Sequence, residues 1–257
     1  MRVPGWERIP GLVAGFCGCR GGVSRGAFAA LNLSARVGDD PAAVRDNWSR
    51  LAATVGHGMH FVRMQQVHGD AIATVEGPAA EVGAADAMLT RASAVALCVL
   101  TADCVPLLMV APRHHVVAAV HAGWRGTLAG IAARAVRHMQ QVYGVEPADV
   151  RVALGPAIGG CCYEVDAGVA QALEQRWGPM PAAIRSAAAA GVAPGKAMVD
   201  LRQVNRAHLV AAGVRGDLVV DAGPCTRCTA GEYFSHREAT RRAVPAGRQV
   251  SFIGWCQ

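Results

Sequence analysis

Residues 95–123 read VALCVLTADCVPLLMVAPRHHVVAAVHAG. Three apolar runs, Val95 to Leu100, Val105 to Val110 and Val116 to Val120, follow one another at short intervals and are rich in β-branched residues, as buried strands are. The connections between them leave no room for crossover helices, so the stretch argues for some antiparallel pairing. Strand-like and helical segments alternate on either side of it. The region 59–76 reads as a strand and a turn that carries His68, and Val150–Leu154, Asp217–Val220 and Gln249–Ile253 read as further strands. Ala42–Val55 reads as a helix with Asp39 or Asp40 as cap and Pro41 in its first turn. Thr127–Tyr143 predicts a second, with Leu128, Ile131, Ala135 and Val142 as its buried stripe. Asp166–Trp177 and Asp200–Ala212 predict two more, the last stopped by Gly213, while Ala182–Ala193 specifies little. The expectation is one α/β domain over residues 1–257, with mixed β-sheets covered by helices.

The chain has 257 residues, 52% hydrophobic and 17% charged, which excludes a disordered protein. No apolar stretch approaches the roughly 20 residues that cross a bilayer. Met1 to Pro10 lacks an apolar signal core, so a cytoplasmic location without membrane contact is expected. The nine cysteines are odd in number and scattered, which is no disulfide framework. Cys225 and Cys228 form a single CxxC, a pattern that suits metal or redox chemistry but without a partner pair is read as a loop and assigned no metal. Cys161-Cys162 reads as lining a pocket or packing beneath it, packing being favoured. The charge of +6 rests almost wholly on arginine, with Lys196 the one lysine. The arginines are dispersed and aromatics make up 5%, so nucleic acid is not expected as a partner. A small anionic substrate needs only two or three of them.

Three short clusters carry chemistry: Gln66-Val67-His68-Gly69, Thr101-Ala102-Asp103-Cys104 and His121-Ala122-Gly123-Trp124-Arg125-Gly126. Imidazole and thiolate suit zinc, and three protein ligands leave a fourth position for water or substrate. The plain alternatives are hydrogen-bonded histidines and a buried apolar cysteine. A third reading makes Cys104 a nucleophile activated by His121, as in a cysteine hydrolase. Asp103 and Asp86 each read as an orienting carboxylate or as a turn residue. Arg125 stands just before a predicted helix and reads as a phosphate contact. The loop Gly21-Gly22-Val23-Ser24-Arg25-Gly26 reads as an anion nest including Ser24, or as a turn, and lacks the Gly-Lys-Ser/Thr of a Walker loop. Ser235-His236-Arg237 is a pocket candidate. Arg237 and Arg248 read as anion contacts or as partners of carboxylates, ranked below Arg125.

Together these blocks resemble the YfiH-like family, once described as multicopper polyphenol oxidases and now as purine nucleoside phosphorylase and adenosine deaminase-like enzymes. The matching pieces are GGVSRG, LNL, VGDD, QVHG, DAMLT, TADCVPLL, AAVHAGWRGTLAG, ALGPAIGGCCYEV, DLR with Asn205, FSHR and a final GR, in the family's order over residues 18–248. The resemblance implies one zinc ion on His68, Cys104 and His121, with copper able to take the same ligands. It implies a fold grouped with cysteine hydrolases, although a shared fold does not establish chemistry. It further implies phosphorolysis of adenosine, inosine, guanosine or methylthioadenosine by inorganic phosphate to free base and ribose 1-phosphate, with adenosine deamination at the same site. The catalytic set is then His68, Cys104, His121 and Arg125, with Ser24, Asp103, His236 and Arg237 as substrate contacts, in a monomer or weak homodimer. The family also carries the name peptidoglycan editing factor, which keeps open a hydrolase of cell-wall precursors and a non-catalytic nucleotide or muropeptide binder. A multicopper oxidase needs many more histidines than these clusters offer.

Overall fold

The computed structural model describes residues 3–56, 58–229 and 231–256. In chain order its strands are β1 Leu12–Phe16, β2 His60–Gln65, β3 Ile72–Thr74, β4 Glu81–Ala84, β5 Ala87–Thr90, β6 Val95–Thr101, β7 Val105–Ala111, β8 Val116–Ala122, β9 Arg151–Leu154, β10 Glu164–Asp166, β11 Ile184–Ser186, β12 Lys196–Val199, β13 Val219–Asp221 and β14 Gln249–Trp255. The helices are α1 Pro41–Val55, α2 Trp124–Ala129, α3 Ile131–Tyr143, α4 Ala167–Trp177, α5 Ala187–Ala190, α6 Leu201–Ala211 and α7 His236–Arg241. No described helix is long and apolar enough to cross a membrane.

β7 and β8 form the antiparallel hairpin that their spacing implies, in register from Val105↔Ala122 to Ala111↔Val116. They lie at the centre of a six-stranded sheet ordered β13-β9-β7-β8-β5-β3. β6, although it precedes β7 by a short bend, belongs to a five-stranded sheet ordered β1-β14-β6-β2-β4. The chain therefore changes sheets at Ala102–Cys104. Period-two alternation then assigns each face. Val105, Leu107, Met109 and Ala111 point with Val116, Ala118 and Val120 toward Ile131, Ala135 and Met139 of α3 and Val204 and Leu209 of α6. Leu108, Val110, Val117 and Ala119 point the other way, against Val95, Leu97, Val99 and Ile253 of the second sheet. The far side of that sheet is covered by α1 through Trp48 and Leu51, against Cys98, Val250 and Phe252. The result is a single-domain α/β fold in four layers, helix, sheet, sheet and helix. β10, β12 and β11 add a small antiparallel sheet at its flank.

Asp40 caps α1 as expected, its carboxylate accepting from Ala42 N–H at 2.9 Å. The predicted helix 127–143 is two helices. Gly130 adopts a left-handed conformation (φ 78°) and ends α2, and a Cβ there would sit 2.7 Å from the Trp177 ring. Periodicity alone does not see such a break, because an isolated glycine inside a helical pattern is usually tolerated. In the stripe, Ile131 and Ala135 are buried and Leu128 packs at the margin, but Val142 faces solvent. Residues 216–218 form a 3-10 turn ahead of β13, and β14 runs on to Trp255.

His208 of α6 is buried, its ring 4.0 Å from that of Trp177, and neither ring nitrogen has a hydrogen-bond partner among the described residues. Burial, with a smaller push from Arg176, depresses its pKa to about 4. The folded protein thus holds it neutral where the unfolded chain binds a proton below about pH 6.5. Stability is therefore full above pH 6.5 and lost as the pH falls toward 4. Denaturant titrations at pH 7.0 and 4.5 should show the wild type losing about 2 kcal/mol more than His208→Leu. Equal losses would show that the imidazole carries no such burden.

Candidate active site

Asp86 ends the turn before β5 and is fully buried. The β5–β8 ladder pairs Ala87 with Val120, which sets Asp86 opposite His121. Main chain and side chain both use that proximity: His121 N–H donates to Asp86 O at 2.7 Å, and His121 Nδ1 lies 2.7 Å from Asp86 Oδ1. A buried carboxylate accepts, so Nδ1 carries a proton and the other ring nitrogen is left to face Cys104. The same carboxylate accepts three successive backbone N–H groups, from Val67 at 3.2 Å, His68 at 3.0 Å and Gly69 at 2.7 Å. Such a nest needs a left-handed residue, and His68 supplies it with φ 60°. Burial opposes ionisation of Asp86, yet His121 and these N–H groups hold its pKa below the usual carboxylate value.

Cys104 arrives from the bend between the sheets. Its Sγ is 3.9 Å from His68 Nε2, and the His68 ring stands edge-on to His121 at 4.8 Å. The bend is fixed by Asp103, another left-handed residue (φ 89°). Asp103 accepts from Thr226 Oγ1 at 2.6 Å and from Arg237 N–H at 2.7 Å, and its carbonyl accepts from Ile158 N–H. Gly123 makes the approach possible, since a Cβ there would stand 2.9 Å from His68 Cδ2 and 3.2 Å from Cys104 Sγ. Burial works against charge on both Cys104 and His121. Their mutual attraction nonetheless draws the thiol below its ordinary pKa and, with Asp86, raises the imidazole.

These three residues open onto a cavity of about 410 Å³ at the mouth between the two sheets, inside the range of about 300–1,000 Å³ usual for small-molecule sites. His236 and three arginines, Arg36, Arg63 and Arg248, also line it. Arg36 is paired with Glu81, and Arg63 lies over the Trp48 ring. Arg248 is different. It is half-buried, its Nη1 donates only to the Ala246 and Gly247 carbonyls, and no carboxylate lies within 4.0 Å among the described residues. Burial lowers its pKa, while Cys104 and Asp103 favour its charge. Glycine-arginine at 247–248 was the available signal, and nothing in the sequence ranked it above Arg125.

Arg125 lies exposed in the first turn of α2, which begins at Trp124 rather than Thr127, with its guanidinium over the Trp124 ring. It still acts electrostatically on Tyr163, as do Cys104, Asp103 and Arg237. The Arg237 guanidinium donates to Glu164 O and crosses the Tyr163 ring, away from the cavity wall. Ser24 is not brought to the site. Its buried hydroxyl donates to Asp39 and accepts from Asn47, binding the glycine-rich loop to α1. Gln66, in the same cluster as His68, has a part that its sequence context does not announce: its side-chain amide exchanges both hydrogen bonds with Leu100 and clamps the His68 loop to β6.

A family profile described as multi-copper polyphenol oxidoreductase laccase matches residues 13–256. A Geobacillus stearothermophilus protein named purine nucleoside phosphorylase YlmD is 38% identical over 266 residues, covering 97% of this chain and 94% of its own. The chain belongs to this YfiH-like family. A purine nucleoside phosphorylase of Mycobacterium bovis is 41% identical over 91% of this chain and 88% of its own. A protein named adenosine deaminase RL5, from an unknown prokaryote, is 34% identical over 94% and 93%. The crystal structure of YlmD superposes with a TM-score of 0.87 at 37% identity, covering 97% of this chain and 93% of that one. Bacillus licheniformis YfiH gives 0.88 at 33%, covering 98% and 94%. The expected fold class is therefore the observed one, and the family member is an enzyme.

The donor set fits a metal ion. The ligand atoms of His68, Cys104 and His121 all lie within 4.8 Å of one another, and two imidazoles with one thiolate suit a borderline-soft ion. Asp86 supplies the carboxylate that metal-ligating histidines usually bind through their other nitrogen. Asp86→Asn leaves the volume but removes the charge and turns an amide donor toward N–H groups. Its zinc affinity, measured by competition with a chromophoric chelator, should fall about 10–100-fold. An unchanged affinity would show that Asp86 does not orient the ligands.

Proposed function

We propose that this enzyme is a purine nucleoside phosphorylase that also deaminates adenosine, with His68, Cys104 and His121 holding zinc. Copper is the competing ion for the same donors. The observation that carries this reading is a His-Cys-His cluster on the floor of a cavity lined by an unpaired arginine, in a chain whose relatives bear those two names over nearly their full lengths. The substrates are adenosine, inosine, guanosine or methylthioadenosine with inorganic phosphate.

Zinc, when bound, supplies Lewis acidity at a position the three protein ligands leave open. The remaining work falls to the chain. Arg248 binds and orients phosphate beside C1′ of the ribose by charge-assisted hydrogen bonds, so that a phosphate oxygen replaces the purine nitrogen at that carbon. Arg125 and Arg237 reinforce the field from the Tyr163 side, and His236 closes the rim over the sugar. Asp103 positions Cys104, and Asp86 keeps the proton on His121 Nδ1. Deamination uses the same bound purine, with water in place of phosphate and C6 as the centre where ammonia leaves.

A second reading rests on the chain Cys104–His121–Asp86, which is also a nucleophile, a base and an orienting acid. Metal separates the two. Chelated protein retains turnover, and loses it to iodoacetamide, only if the thiol is the nucleophile.

The decisive assay is chromatography of products from adenosine with and without phosphate. Adenine release should require phosphate and fall at least about 10²-fold in Cys104→Ala, and inosine should form without phosphate. Arg248→Met should raise the KM for phosphate about tenfold or more, the loss of one charged hydrogen-bond donor, while phosphate-independent inosine formation changes little. Absence of both products from zinc-loaded protein would overturn the reading.

A further inference from the structure

A second sulfur-rich cluster lies outside this cavity. We propose that Cys161, Cys162, Cys225 and Cys228 form a closed four-thiolate site for a structural metal ion, with zinc as the expected occupant. All four Sγ atoms lie within 4.8 Å of one another. Cys228 Sγ is 3.6 Å from that of Cys161 and 3.4 Å from that of Cys162. Four sulfurs around zinc with bonds of about 2.3 Å stand at the corners of a tetrahedron with edges of about 3.8 Å. The two separations to Cys228 are close to that edge, and the others lie within 4.8 Å.

The fold delivers the four thiols from two loops. β9 and β13 are parallel neighbours, Val152 opposite Val219 through Leu154 opposite Asp221, so the segments that follow them leave from the same end. The ladder is prolonged by a bridge between Ala157 and Cys225, with Thr226 N–H donating to Ala157 O at 3.0 Å. Gly159 and Gly160 let the first loop pass close: a Cβ on Gly159 would lie 3.4 Å from Cys161 Sγ, and one on Gly160 would lie 3.0 Å from Asp200 Cβ. The second loop is a CxxC turn whose first sulfur accepts from Gly159 N–H at 3.3 Å and faces the N–H groups of Arg227 and Cys228. Four thiolates around a divalent ion carry a charge of −2, and the Arg185 and Arg202 guanidinium groups border the first loop, at Gly160 O and beside Gly159.

Four protein ligands leave no open position, which makes the site structural rather than catalytic. Its place in the fold gives it a task. The second loop carries Thr226, whose hydroxyl donates to Asp103, the neighbour of Cys104. Pinning the two loops together supports the bend that presents Cys104 to the cavity. The inference stands whether or not the purine reading holds.

The test begins with His121→Ala protein, in which the first cluster is disabled, loaded with cobalt(II). It should bind one ion per chain and show the intense sulfur-to-cobalt charge-transfer absorption and d–d bands of tetrahedral four-thiolate coordination. Elemental analysis of wild-type protein should find two zinc ions per chain, and one in the Cys161→Ser/Cys228→Ser double variant, with a lowered Tm. A cobalt-loaded His121→Ala protein without the four-thiolate spectrum would overturn the proposal, and that result does not depend on the cysteine variants folding. So would a wild-type mass, in denaturant without reductant, lowered by the two hydrogens of a disulfide within the cluster.

Discussion

Much of the site depends on one buried carboxylate. Asp86 is removed from water and must find its donors in the protein, because an unpaired buried charge is prohibitive. It finds four, and between them they fix two things. The bond to His121 Nδ1 orients that imidazole, while the N–H groups of residues 67–69 wind the left-handed turn that aims His68. The backbone bond between Asp86 and His121 prolongs the β5–β8 ladder to the edge of the cavity. Removing one partner of a buried pair of this kind costs about 3–5 kcal/mol, so the same acid that orients the two imidazoles also holds the end of the sheet together.

Cys104 reaches this assembly because the chain changes sheets beside it. Only Ala102–Cys104 separate the end of β6 from the start of β7, and the two strands lie in different layers. So sharp a transfer places Asp103 at φ 89°, a conformation costing on the order of 1 kcal/mol or more for a residue other than glycine. Thr226 and the Arg237 N–H, both held by the C-terminal third of the chain, offset that strain by closing on the Asp103 carboxylate. The site is therefore assembled from segments far apart in sequence, with the two-sheet interior as the frame. The space between the sheet ends becomes the cavity.

The strands from 95 to 122 were legible because their apolar runs have the length and β-branching of buried strands, and α1 because Asp40 and Pro41 mark its start. Their division between two sheets was not, since a strand buried on both faces reads as a continuous apolar run whichever neighbours it takes. His68, Cys104 and His121 stood out by residue type and strand-end position. Asp86 stayed ambiguous because its meaning lies in register: only the Ala87↔Val120 pairing puts it opposite His121. Cys161-Cys162 and Cys225-Cys228 read separately as packing and as a lone CxxC, because nothing local announces that β9 and β13 lie side by side. Ser24 misled for the opposite reason. Its glycine-rich setting has the composition of an anion loop, but Asn47 and Asp39 already use its hydroxyl.

Charge shows the same dependence on place. The +6 balance is spread over arginines, many of them paired at the surface, such as Arg215 with Asp217 and Arg241 and Arg242 with Glu238. Pairs of that kind contribute little. Arg248 departs from the pattern by being half-buried, beside the His-Cys-His cluster, with only carbonyl oxygens as partners of its guanidinium. A guanidinium in that position bears a desolvation cost that Cys104 and Asp103 offset only in part, since no carboxylate among the described residues pairs with it directly. An incoming anion offsets it, and so gains more from Arg248 than from any exposed arginine. The cavity thus keeps one half-buried cation without a paired acid, beside His68, Cys104 and His121.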